Sequence, residues 1–169
     1  MLVIFRGLPG TGKSYLVRQL VHRRPRLLVL SRDVIRRALL PRPSFSAEEK
    51  ELVDGLIASM AGHLLEGGRD VVIDGMALST ADGVGRLVRE ASSRAIPVRI
   101  IECTCRQETA LARIRGDEGA HPAADRGESL YLQVKERFQR IPYSSLTVDT
   151  DGDPAEAIRA VLDYLGPEG

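Results

Sequence analysis

The chain has 169 residues, 43% hydrophobic and 28% charged, which is ordinary for a globular protein and long enough for a sizeable core. Its net charge of +1 gives no long-range pull on a long polyanion, and no apolar run approaches membrane-spanning length, so no membrane partner is expected. Cys103 and Cys105 form no metal pattern with the three histidines and read as reduced thiols. With Met1 running straight into the first strand, leaving no room for a signal peptide, they set the expectation of a cytoplasmic chain.

The first element is the apolar run Leu2 to Phe5, read as a strand. It enters Gly7-Leu8-Pro9-Gly10-Thr11-Gly12-Lys13-Ser14, and Tyr15 to Val21 then repeats apolar residues at helical spacing. Strand, glycine turn and helix are the setting that a G-x-x-x-x-G-K-[ST] phosphate loop requires. Glycines let the backbone approach a ligand closely, so that its N–H groups and the positive end of the following helix can face phosphate oxygens. Gly7, Pro9, Gly10, Thr11, Gly12, Lys13, Ser14 and Tyr15 are therefore candidate residues for a nucleoside triphosphate. Lys13 is placed to reach the β- and γ-phosphates, and the Ser14 hydroxyl to ligate Mg²⁺. The chain has three lysines against 21 arginines, and one of the three fills the motif.

Further along, Leu27 to Leu30 reads as a second strand that delivers Ser31-Arg32-Asp33 to a helix over Val34 to Leu40. Pro41-Arg42-Pro43 breaks the chain, and Ser46-x-x-Glu49 is a capping box opening a long helix that ends at Gly67-Gly68. Val71 to Ile73 is a third strand ending in Asp74-Gly75, and Ser79 or Thr80 caps the helix after it. Pro97 to Ile101 is the fourth strand, followed by a helix from Thr104 or Gln107 through Ile114. A polar, glycine-bearing stretch follows, then a helix from Leu130 to Phe138, a fifth strand at Leu146 to Val148, and a last helix capped by Asp153 before Pro154. This alternation predicts an α/β fold of three layers, α/β/α, around a five-stranded parallel sheet, in one domain spanning 1–169.

Missing signals narrow the reaction. No lysine has an aspartate two residues later, so there is no N/T-K-x-D reader of guanine, and ATP is the expected donor. Asp74 is followed by Gly75 rather than Glu, so the strand end lacks a residue to polarise water. Phosphoryl transfer to a hydroxyl remains, which needs in-line positioning, Mg²⁺, a proton acceptor and cations on the moving group. Asp33, at a strand's carboxyl end near the phosphate loop, is the candidate base, with helix capping as its alternative role. Arg32 and Arg36 on either side can hold an anionic acceptor. Asp74 either orients the acceptor or Mg²⁺, or simply makes a turn. Arg113, Arg115 and Arg126 bracket a candidate lid at about residues 113–126 that would close over the triphosphate, or else belong to a solvated loop.

These residues resemble the small P-loop kinases that include polynucleotide 5′-hydroxyl kinases, chloramphenicol phosphotransferase and zeta-toxin-like kinases. The resemblance runs from the phosphate loop to the lid, and its most specific part is Ser31-Arg32-Asp33-Val34-Ile35-Arg36, similar to an R-D-x-x-R pattern after the second strand. It implies Lys13, Asp33, Arg113 and Arg115 as the catalytic set, with Arg126 also on the nucleotide. Arg32, Asp33, Arg36 and Asp74 would hold the acceptor and Ser14 the metal. The implied partners are ATP, Mg²⁺ and either a 5′-hydroxyl nucleic-acid end or a small hydroxyl acceptor such as an antibiotic, nucleoside or sugar. A nucleotide-binding module without transfer is the remaining alternative, and no protein partner is indicated. Three Phe, four Tyr and no Trp make a sparse platform for stacking bases.

Overall fold

The computed structural model describes residues 1–116 and 127–168. Twelve elements follow in chain order: β1 (Leu2–Arg6), α1 (Lys13–Arg23), β2 (Leu28–Ser31), α2 (Arg32–Leu39), α3 (Ala47–Glu66), β3 (Val71–Asp74), α4 (Ala81–Ser92), β4 (Val98–Thr104), α5 (Gln107–Gly116), α6 (Glu128–Glu136), β5 (Leu146–Asp149) and α7 (Pro154–Leu165). The strands form one parallel sheet in the order β2-β3-β1-β4-β5. Every residue of β1 is buried, as expected of a central parallel strand covered on both faces.

Alternation along β1 divides the core. Leu2 and Ile4 point to one side, packing with Val53 and Ile57 of α3 and Val84 and Leu87 of α4. Val3 and Phe5 point to the other, against Leu16 and Leu20 of α1 and Ile158 and Val161 of α7. The sheet is thus sandwiched between helices, as the sequence predicts. No helix among the described residues is long and apolar enough to cross a membrane.

Local differences from the sequence reading have physical causes. Helix α2 starts at Arg32 rather than Val34, so Asp33 lies within the first turn and Ser31 takes the N-cap position. The Ser46 hydroxyl accepts from Glu49 N as a capping box requires, but the Glu49 carboxylate turns to Ser44 N, Ser44 Oγ and Phe45 N instead of returning to Ser46. Thr80, not Ser79, caps α4, its hydroxyl accepting from Gly83 N at 3.1 Å, while the Ser79 carbonyl accepts from Gln139 N. Most of the candidate lid, including Arg126, lies outside the described residues.

Candidate active site

The phosphate loop is built where β1 runs out between β3 and β4, at the carboxyl edge of the sheet. Gly7 has φ +145°, and a Cβ there would stand 2.4 Å from the Cys103 carbonyl oxygen. Gly10 has φ +80°, and a Cβ would stand 2.4 Å from the Ala110 carbonyl oxygen. Only glycine lets the loop lie this close to β4 and α5. The Thr11 hydroxyl turns inward to donate to Leu8 O at 2.8 Å, so this buried side chain shapes the loop. Lys13 Nζ donates to Gly7 O at 2.8 Å and Leu8 O at 2.7 Å, which sets the ammonium over the loop.

Ser14 Oγ donates to Asp74 Oδ1 at 2.9 Å. The Asp74 carboxylate is buried at 8% exposure, at the end of the strand next to β1. A hydroxyl and a carboxylate beside a phosphate loop form a hard-oxygen donor set suited to Mg²⁺, which takes one or two protein oxygens and completes its shell with water and substrate phosphates. No cluster of three metal-binding side chains occurs among the described residues.

The register of β2 on β3 pairs Ser31 with Asp74 and so carries the start of α2 to the same edge. Gly75, at φ +77°, lets the chain leave β3 beside it: a Cβ there would stand 3.1 Å from Asp33 Oδ2. Asp33 and Asp74 thereby flank the same end of the sheet. Arg36 NH1 lies 3.8 Å from Asp33 Oδ1, its Nε is 2.8 Å from Glu49 Oε1, and its guanidinium lies 5.0 Å from the centre of the Phe45 ring. Arg32 Nε pairs with Asp54 Oδ1 at 2.8 Å. Both arginines, predicted as acceptor contacts, thus brace α2 against carboxylates of α3 and its approach. Burial raises the Asp54 carboxyl, against the pull of Arg32, Lys50, Arg36 and Arg86.

One cleft of about 1170 Å³ joins these parts. Its lining runs from Gly10, Lys13 and Ser14 past Asp33 and Arg36 to Lys50, Asp54 and Met76 to Thr80. Phe45 (φ 57°) and Leu78 (φ 46°), two of the three described residues other than glycine with positive φ, stand on this side of it. Such strain is usually held only where the surroundings over-determine it, often at functional sites. At the other end, Arg113 donates from NH2 to Thr150 O at 2.7 Å and from NH1 to Thr150 Oγ1 at 2.9 Å and Gly10 O at 3.4 Å, clamping α5 to the phosphate loop. Arg115, two residues on, faces away around the helix, is exposed and is not among the described residues that line the cleft.

Sequence reasoning missed Arg6, which ends an otherwise apolar strand and is fully buried. Its Nε donates to Leu78 O at 3.3 Å, its NH1 pairs with Glu102 at 2.7 Å, its NH2 donates to Gln139 O at 2.8 Å, and Phe138 lies under it at 4.2 Å. Burial lowers its pKa against the opposing pull of Glu102. One cation therefore ties the strand before the phosphate loop to the loop after β3 and to the segment after α6. Its only sequence signal is a charge at the end of an apolar run.

The family described as AAA domain matches residues 2–141. No curated protein matches. Among solved structures, a Chloroflexus aurantiacus chain superposes with a TM-score of 0.74 at 22% identity over 98% of each chain. The APS kinase CysC of Mycobacterium tuberculosis, in complex with AMPPNP and APS, gives 0.71 at 20% identity over 97% of this chain and 96% of its own. The Pnkp1/Rnl/Hen1 RNA repair complex gives 0.60 at 18% identity, covering 82% of this chain and 46% of that one. At these identities the likeness establishes the fold, that of P-loop NTPases.

Proposed function

Since the chain belongs to the AAA domain family, with residues 2–141 matched, we propose that it is an ATP-dependent kinase transferring the γ-phosphoryl group to an acceptor hydroxyl, with Asp33 as the base. The observation that carries this reading is the position of Asp33, a carboxylate lining the cleft of the phosphate loop and abutting Gly75, one residue from the Ser14–Asp74 pair. The acceptor oxygen bonds to the γ-phosphorus as the β–γ bridging bond breaks, its proton passes to Asp33, and ADP leaves. Lys13 and the loop N–H groups offset charge on the phosphates, and Ser14 and Asp74 would hold Mg²⁺, which would supply further charge neutralisation when bound. Residues 1–169 act as one domain.

Two acceptor classes fit this chemistry. The likeness of Ser31 to Arg36 to the polynucleotide kinase pattern favours a 5′-hydroxyl nucleic-acid end. The engagement of Arg32 by Asp54 and of Arg36 by Glu49 favours a small acceptor that needs no such contacts. The test is transfer of labelled γ-phosphate from ATP to 5′-hydroxyl DNA and RNA oligonucleotides, nucleosides, sugars, and aminoglycoside and phenicol antibiotics. Labelling of one class is expected, and a chain that binds ATP but labels none contradicts the kinase reading.

A further inference from the structure

The acceptor side of the cleft carries two cations that the scheme above leaves unused. Lys50 stands on the first turn of α3, and Arg137 is the C-cap residue of α6. Both line the cleft, from opposite elements, together with Arg32, Arg36, Asp33 and Asp54. The carboxylates near them are committed elsewhere: Asp54 pairs with Arg32, and Glu49 with Arg36. Neither Lys50 nor Arg137 forms an ion pair among the described residues. Burial acts most strongly against the Lys50 ammonium, and Arg32, Arg137 and Arg36 add like charge, opposed by Asp54. Like charges drawn together at a cleft are costly unless something neutralises them, and the cost falls when an anion sits between them.

We propose that Lys50 and Arg137 form an anion clamp, so that the acceptor is a hydroxyl compound carrying a phosphate group. The inference rests on the kinase reading for the word acceptor, but the clamp itself does not depend on transfer. The neighbouring surface suits such a ligand, because Phe45, Met76 and Leu78 give the cleft an apolar wall for the body of the molecule. The clamp also joins two separate parts of the chain. Lys50 belongs to the helix that braces Asp33 through Arg36 and Glu49, while Arg137 lies beside Phe138 and Gln139, which Arg6 fastens to β1.

Calorimetry on the full chain, saturated with Mg²⁺ and a non-hydrolysable ATP analogue, tests the clamp with matched probes. Thymidine 3′-monophosphate is compared with thymidine, and ribose 5-phosphate with ribose, so that a nucleotide phosphate and a sugar phosphate are told apart. At least one phosphorylated probe should bind about a hundredfold more tightly than its neutral partner, given two charge-assisted contacts. Lys50→Met and Arg137→Met should each remove about tenfold of that preference, while Lys50→Arg keeps it. Both side chains are exposed, so folding is checked by an unchanged melting temperature. Absence of any preference, or a preference that survives in the Lys50→Met/Arg137→Met double variant, overturns the clamp. A chain that binds a phosphorylated probe through these two residues yet labels no acceptor keeps the clamp and refutes only the kinase reading.

Discussion

The Ser14 hydroxyl and the Asp74 carboxylate meet at 2.9 Å across sixty positions of sequence, joining the end of the phosphate loop to the end of the neighbouring strand. That pair depends on β3 lying directly beside β1, with Leu2 facing Val71 and Ile4 facing Ile73. If it holds Mg²⁺, Asp74→Ala should weaken the apparent Mg²⁺ affinity by about 10- to 100-fold. Mg²⁺ titration of nucleotide binding measures this, and an unchanged metal requirement counts against Asp74 as a ligand.

Gly75→Ala should damage the site without touching the nucleotide. Its φ of +77° costs a side chain about 1–2 kcal/mol, and the new Cβ would press on Asp33 Oδ2 at 3.1 Å. Denaturant unfolding should show that loss, and transfer should fall by about tenfold or more as Asp33 is displaced. Wild-type transfer in this variant would mean that the position of Asp33 does not matter.

Glu49 gives a pH-dependent prediction. Burial raises its carboxyl, but hydrogen bonds from Ser44 and Phe45 and the charge of Arg36 outweigh this and hold it below the ordinary value of 4.5. A depressed carboxylate contributes stability that is full above its unfolded pKa and is lost as pH falls through the folded one. Glu49→Gln should therefore melt below wild type at neutral pH, with the gap closing in acid. A gap independent of pH would assign Glu49 a packing role alone.

The Cys103 thiol is pushed up to about 12, chiefly by burial, and Cys105 is also raised by burial. Neither should react rapidly with iodoacetamide at pH 8, and Cys103 should react only on unfolding. Rapid alkylation of Cys103 in the native chain would contradict the packing of β4 against the phosphate loop.

Much of this architecture was legible because it follows from local rules. Gly7 to Ser14 between an apolar run and a periodic segment locates the loop, and the βα alternation fixes the parallel sheet. The site was less legible wherever a partner comes from far along the chain. Arg36 reads in sequence as an acceptor contact, and only folding reveals that Glu49 and Phe45 also stand against it and that α3 supplies Asp54 to Arg32. Arg113 and Arg115 are equivalent in sequence, and the helix phase separates them. Lys50 and Arg137, 87 positions apart, carry no shared motif, and only the fold brings both to one cleft.

The central claim is that Asp33 is the base of a phosphoryl transfer. Asp33→Asn keeps the shape of the side chain and removes its capacity to take a proton. Measured on whichever acceptor wild type labels, its kcat should fall by about 10²- to 10⁴-fold, while ATP affinity by calorimetry stays at the wild-type value. Undiminished transfer by Asp33→Asn with ATP still bound would contradict the account.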